Sequence, residues 1–325
     1  MISRRMFCTA SAAVAGAAAL PSSPARAAGY PEKPVTMVVS FAPGGMTDVV
    51  GRLVGSELSK AMGQSFVVEN RPGAAGQVGT EYVARRPPDG YTLLVSATGH
   101  VIGPAVQAVR YHPVTDFAPV ALLARAPNMV LVHKSVPART VPEFLDWVRS
   151  QGQVPYGSAG AGGSTHLGGE TLRVQGKLPL VHVPYRGAAP AISDLVAGQI
   201  KMAFQDSMSV SSFLASGDVR AIAVTTLERS PLFPDVPTLA ESGFPGFDLY
   251  TWLGLYAPAG TDQAIVSRLN QEANRIVTSP DAVQWLRQSN AEPGGGMDPV
   301  QFRAFVDEEQ RKWARVVQES GVRVE

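Results

Sequence analysis

One stretch constrains this chain more than any other. Val154–Glu170 reads V-P-Y-G-S-A-G-A-G-G-S-T-H-L-G-G-E. Val154 and Tyr156 look like the end of a strand, and Gly157, Gly160, Gly162 and Gly163 remove the Cβ atoms from a tight turn. Ser164 or Thr165 is the expected N-cap of the next helix, whose apolar marks are Leu167 and Leu172. A strand, a glycine turn and a helix N-terminus gather backbone N–H groups at one spot, where the helix dipole also favours negative charge. Ser158, Ala159, Gly160, Ser164, Thr165 and His166 are therefore candidate contacts to an anion.

Two better-known devices do not fit. The spacing from Gly157 to Ser164 matches the nucleotide loop G-x-x-x-x-G-K-[ST], but Gly163 stands where the lysine is required. The hydrolase elbow G-x-S-x-G fails because His166 replaces the last glycine. What remains is a neutral, hydroxyl-rich cradle suited to a carboxylate, or a plain αβ turn whose glycines only permit close packing.

A second copy of the device opens the chain after its leader. Val35–Phe41 is rich in β-branched and apolar residues, as a buried parallel strand would be. Ala42-Pro43-Gly44-Gly45 breaks it, and Thr47 and Asp48 begin a helix that Gly63 stops. Asp48 reads either as a first-turn carboxylate that stabilises the helix through its dipole or as a site residue that orients loop hydrogen bonds or contacts a ligand hydroxyl. Pro43, Gly44, Gly45, Thr47 and Asp48 join the candidate set, with Thr98 and Gly99 as a third rim loop after the strand Tyr91–Ala97. In open α/β sheets ligands sit beyond the carboxyl ends of the strands. Two such loops more than 100 residues apart thus point to two similar lobes with a cleft between them.

The leader lies in Met1–Ala27. Arg4 and Arg5 precede an uncharged run from Met6 to Leu20 and the cleavage-type sequence Ala25-Arg26-Ala27. Ser3–Phe7 fits a twin-arginine export signal, with an ordinary secretory signal as the alternative, and either predicts cleavage after Ala27 and a periplasmic product. The single cysteine, Cys8, falls inside it, so no thiol, disulfide or thiolate metal site is expected afterwards. Losing Arg4, Arg5 and Arg26 from 28 basic residues leaves 25 against 27 acidic ones, a formal charge of −2. No strong field invites nucleic acid or a membrane surface, and no other run approaches the ~20 apolar residues of a spanning helix.

The remaining segments alternate as an α/β protein should. Strands are expected at Ser65–Glu69, Asn128–Val132, Leu180–Pro184, Ile200–Phe204, Val219–Thr225 and Trp252–Tyr256. Thr140 and Glu143 form a capping box, Pro190–Ala197 is helical, and three helices finish the chain, the last capped by Asp298 before Pro299. Gly294–Gly296 reads as a flexible connector. Tyr185, just past a strand end, is a candidate cleft wall, and Asp206 either reads a ligand hydroxyl or amine or caps the helix after it. His166 is equally a cap or packing residue, and Trp252 either packs on the ligand or fills the hinge. His100, His112, His133 and His182 lack metal-ligand spacing and no H-E-x-x-H occurs, so neither metal nor cofactor is expected.

Six segments in order carry a resemblance: Ala42–Asp48, Val68–Gly76, Pro88–Leu94, Gly157–His166, Val183–Gly187 and Arg229–Thr238. Together they resemble the Bug-type periplasmic receptors of tripartite tricarboxylate transporters. The resemblance implies a two-lobed, type II periplasmic-binding-protein fold, with each lobe a sheet flanked by helices. Lobe 1 would take 28–127 plus 252–325, and lobe 2 would take 128–251. It also implies that a carboxylate is gripped between Pro43–Asp48 and Ser158–His166, and that a monomer delivers a small organic acid to membrane permease subunits without being an enzyme. Relatives often read Asp-Asn after the strand ending at Phe204, where this chain has Gln205 and Asp206. The competing expectations are a periplasmic serine hydrolase using Ser164, and a receptor that signals to a membrane sensor.

Overall fold

The computed structural model describes residues 29–320, so the leader reading at 1–27 lies outside the described residues. The elements run β1 (Val35–Val39), α1 (Met46–Met62), β2 (Phe66–Asn70), a single 3-10 turn (Ala74–Gly76), α2 (Gln77–Ala84), β3 (Thr92–Ala97) and α3 (Gly99–Val106). Next come β4 (Phe117–His133), α4 (Val141–Ser150), β5 (Val154–Ser158), α5 (Ser164–Gly176), β6 (Leu180–Pro184), α6 (Ala188–Val196), β7 (Met202–Asp206), α7 (Ser211–Ser216) and β8 (Val219–Val224). The chain then returns through β9 (Tyr250–Pro258), α8 (Gln263–Val277), α9 (Pro280–Gln288), β10 (Glu292–Pro293) and α10 (Pro299–Ser320).

These strands form two sheets of the same design. In one, β1 lies parallel to β2 and β3, and β9 adds antiparallel between β3 and β4. In the other, β5 lies parallel to β6 and β7, and β4 adds antiparallel between β7 and β8. The near-continuous apolar runs of β1 and β3 are buried because helices cover both faces. At the interlobe face, the carboxyl ends of β1 and β3 in one lobe and of β5 and β6 in the other lead into helix starts. The fold is the two-lobed α/β arrangement the sequence implies.

The strand β4 joins the lobes. From Phe117 to Pro127 it pairs with β9, and from Asn128 onward with β7 and β8. The sequence reading found only its last third, Asn128–Val132. Pro119 hides the rest, because a proline normally bars a central strand. Here it stands at a register shift, and a second shift lies between Leu122 and Ala124, so bulges absorb the irregularity.

The Gly294–Gly296 reading needs correction. Rather than a loose connector, this segment is strapped to β4: Gly294 N–H donates to Leu123 O at 3.0 Å and Gly295 N–H to Leu122 O at 2.9 Å. A Cβ on Gly294 would collide with the backbone of Leu122 and Leu123, which is why glycine is needed there. Other local expectations hold. Thr140 and Glu143 close a capping box, and Asp298 caps α10 through Gln301 N–H at 2.8 Å. Trp252 is a packing residue: its indole N–H donates to Glu309 on α10 at 2.7 Å, and its ring meets Phe302 and Phe305 edge-on.

Candidate functional site

In the first lobe the loop after β1 is shaped by Asp48. Its carboxylate accepts from Gly44 N–H at 3.0 Å and Asn70 Nδ2 at 2.8 Å, and pairs with Arg52 at 2.9 Å. Burial alone would raise its pKa, but the hydrogen bonds from Arg52, Asn70 and Gly44 outweigh that and hold it below the usual range. Asp48 thus orients the loop's hydrogen bonds, part of the second of the two readings that the sequence left open. The helix α1 starts at Gly45, whose extended backbone (φ −88°, ψ 172°) leaves no side chain to cap the first turn.

The second lobe repeats this geometry. The expected N-cap, Ser164 or Thr165, is instead Gly163, with φ −98° and ψ 172°, and Ser164 is the first helical residue. The hydroxyls of the two residues are engaged elsewhere. Ser164 Oγ lies 3.0 Å from Thr251 Oγ1 on β9, and Thr165 Oγ1 accepts from Ala159 N–H at 3.0 Å. His166 Nδ1 accepts from Gly162 N–H at 3.2 Å, and Ser158 Oγ accepts from Gly160 N–H at 3.1 Å. Gly160 and Gly162 sit at φ +141° and +86°, a region that side chains disfavour. Side chains therefore tie the loop from below while the helix start stays uncapped.

Beneath this loop His166 and His182 stack with ring centroids 4.0 Å apart, and His182 Nε2 lies 2.6 Å from Ser158 Oγ. Burial pushes His166 down to about 4, and burial together with the neighbouring His166 pushes His182 down to about 3. Both rings are neutral at pH 7. A base this weak cannot activate Ser158, which is itself fully buried. Ser164 has Thr251 rather than a histidine as its side-chain partner. The hydrolase expectation finds no nucleophile–base couple at either serine.

The two loops meet across one cavity. Its polar wall is Thr47, Ser164, Thr165, Asp206 and Thr251, and its apolar wall Phe41, Met46, Ala75, Ala97, Ala159 and Ala188, with Gly45, Gly99 and Gly163 between. Four helices, α1, α3, α5 and α6, begin at this wall, and none is capped by the side chain of its own N-cap residue. First-turn N–H groups have no partner within their own helix, so their positive ends converge here. Among the described residues, no lysine, arginine or histidine lines the cavity. The lobes touch around it: Met46 N–H donates to Ser209 Oγ at 3.0 Å, and Ala42 N–H to Arg186 O at 3.3 Å.

Among the candidates from sequence, Gly45, Thr47, Gly99, Ala159, Ser164, Thr165 and Asp206 line the cavity. Pro43, Gly44, Asp48, Thr98, Ser158, Gly160, His166 and Tyr185 are not among its lining residues. Thr98 Oγ1 is engaged with β9, donating to Tyr250 O at 3.2 Å and accepting from Trp252 N–H at 3.0 Å. Tyr185 donates to Asp194 at 2.7 Å, and burial together with that carboxylate pushes its hydroxyl up to about 12. Asp206 lines the cavity and accepts from Ser209 N–H at 2.8 Å in the turn before α7; the N-cap of that helix is Val210, so Asp206 does not cap it. Sequence reasoning missed Phe41, Met46, Ala75, Ala97, Gly163, Ala188 and Thr251. Ala188 was within reach, because the strand Leu180–Pro184 and Gly187 before it repeat the strand–glycine–helix pattern.

A model of "Tripartite tricarboxylate transporter family receptor" matches residues 50–322. The "UPF0065 protein in tcbD-tcbE intergenic region" of Pseudomonas sp. (strain P51) is 39% identical over 293 residues, covering 89% of this chain and 87% of the relative. Protein BugT of Bordetella pertussis is 32% identical, covering 93% and 94%. Among solved structures, the periplasmic binding protein BugD superposes with TM-score 0.87 at 34% identity, over 90% and 99% of the two chains. An R. palustris protein with adipate gives 0.86 at 35% over 90% and 99%, and MatC from Rhodopseudomonas palustris with bound malate gives 0.84 at 36% over 89% and 100%. With the two-lobed fold and this length of match, the chain belongs to the receptor family of the tripartite tricarboxylate transporters.

Proposed function

We propose that this receptor captures a small organic acid by its carboxylate in the interlobe cavity and passes it to the permease subunits of a tripartite transporter. The observation that carries the reading is the convergence of four helix starts, none capped by its own N-cap side chain, on a wall without a basic side chain among the described residues. Hydrogen bonds to a charged group contribute about 1.5–3 kcal/mol each, and a micromolar complex requires about 8 kcal/mol net. A few N–H donors from both lobes supply that once closure excludes water. The relatives solved with adipate and malate support the carboxylate.

In the same reading, the protein acts as a periplasmic monomer after twin-arginine export and cleavage after Ala27. Its lobes are 28–127 plus 252–325 and 128–251, the boundary at 127/128 coinciding with the point at which β4 exchanges β9 for β7. A thermal-shift panel of organic acids on the mature protein, and then the same panel on Gly45→Val, tests the site. A Cβ at Gly45 meets Ala188 Cβ at 3.4 Å across the cleft, and its φ of −88° tolerates a side chain. The variant should fold and lose at least tenfold in affinity for whichever acid raises the wild-type midpoint. A folded Gly45→Val protein with unchanged affinity would place the ligand elsewhere.

A further inference from the structure

The charge of the cavity wall limits which acids can enter. Asp206 is the one ionisable side chain among the described residues that line it, and only 4% of its surface is exposed. Both carboxylate oxygens are acceptors: Ser209 N–H donates to Oδ1 and Ser209 Oγ–H to Oδ2, each at 2.8 Å. The backbone N–H of Met208 adds a further bond. Burial raises the pKa of this carboxyl above its ordinary value, and the bonds from Ser209 and Met208 offset only part of the rise. Backbone N–H groups can only donate, so the bonds from Ser209 and Met208 favour the ionised form of this carboxylate. Ser209 Oγ in turn accepts from Met46 N–H, the first N–H of α1. A fixed internal carboxylate is thus wired through one hydroxyl to one of the helix starts that form the anion cradle.

Four helix starts present about half a positive charge each, and the Asp206 carboxylate offsets about half of their sum, leaving about one unit for an external carboxylate. A ligand with a second one would bring it into a small cavity that has an acid on its wall, no cationic side chain among the described residues, and an apolar remainder of Phe41, Met46, Ala75, Ala97, Ala159 and Ala188. Like charges close together in a water-excluded site repel strongly. We propose that Asp206 restricts this receptor to acids carrying a single carboxylate, in contrast to the relatives solved with adipate and malate, each a dicarboxylate. The proposal rests on the carboxylate reading of the same cavity.

Matched pairs test it. Butanoate against succinate, and hexanoate against adipate, are titrated calorimetrically into the mature wild type and Asp206→Asn at pH 7.5, with the two monoamides butanamide and hexanamide alongside. The wild type should bind each monocarboxylate at least tenfold more tightly than its dicarboxylate partner. In Asp206→Asn, which keeps the shape and one acceptor, that ratio should fall at least fivefold. Dicarboxylates bound as tightly as monocarboxylates by the wild type would overturn the proposal without any variant. So would an unchanged ratio in a folded Asp206→Asn protein. Amides binding as well as acids, or no acid binding at all, would sink the carboxylate reading itself and the proposal with it.

Discussion

The carboxylate of Asp48 is engaged inside the protein, and so is most of the polar chemistry in the two glycine loops. Asp48 holds Gly44 N–H and Asn70, His166 holds Gly162 N–H, and Ser158 holds Gly160 N–H. Asp48→Ala would leave Gly44 N–H without its acceptor and the Asn70 amide with only Phe41 O. It should cost roughly 1–3 kcal/mol of stability and weaken ligand binding, checked by urea unfolding and calorimetry on the same preparation. The sequence showed that Asp48 stands in a first turn, and no more. Its decisive partner, Asn70, lies 22 residues away on the neighbouring strand, and a single sequence carries no signal for that distance. Ser164 illustrates the same limit. A serine before a helix reads as a cap, yet a preceding glycine in extended conformation took that role, and the hydroxyl turned to Thr251, 87 residues away.

At the scale of elements, glycine patterns and apolar runs carried most of the information. The strand Leu180–Pro184 and the capped helix starts at Thr140 and Asp298 were readable because their signals are local. The long strand β4 was not, because Pro119 and Arg125 interrupt its apolar run and only tertiary pairing with β9 makes them acceptable. The strap at Gly294 was misread for a related reason: a glycine that permits close approach looks the same in sequence as one that permits flexibility. Gly294→Ala should lower stability by roughly 1–3 kcal/mol through the forced shift of the β4 backbone. Differential scanning calorimetry would show this as a midpoint several degrees lower. An unchanged midpoint would mean that the strap is loose in solution.

Over the whole molecule, two lobes of one design share the strand β4 and close on a cavity lined from both. Three of its histidines are neutral: His100 and His166, both buried, at about 4, and the half-buried His182 at about 3. Each folded-state value lies below the ordinary 6.5 of an unfolded chain, so below 6.5 the unfolded state binds more protons. The stability these rings contribute is present above pH 6.5 and is lost as pH falls from there toward 4. The loss should be roughly 1–3 kcal/mol per ring by pH 4.5. Thermal midpoints measured from pH 7.5 to 4.5 should fall accordingly, and His182→Gln should flatten the slope. A wild-type midpoint that holds steady down to pH 4.5 would contradict the neutral pair beneath the α5 loop.

The central claim is that helix N-termini, not side-chain cations, hold a carboxylate between the lobes. Its most direct test is a calorimetric titration of the mature protein with the acid that gives the largest thermal shift, compared with that acid's primary amide, at 20 and 500 mM salt. Removing the charge removes the strengthened hydrogen bonds, so the amide should bind at least 100-fold more weakly, about 2.7 kcal/mol. With the donors buried and no surface ion pair involved, the affinity of the acid should change less than threefold between the two salt concentrations. An amide that binds as tightly as its acid would contradict the claim.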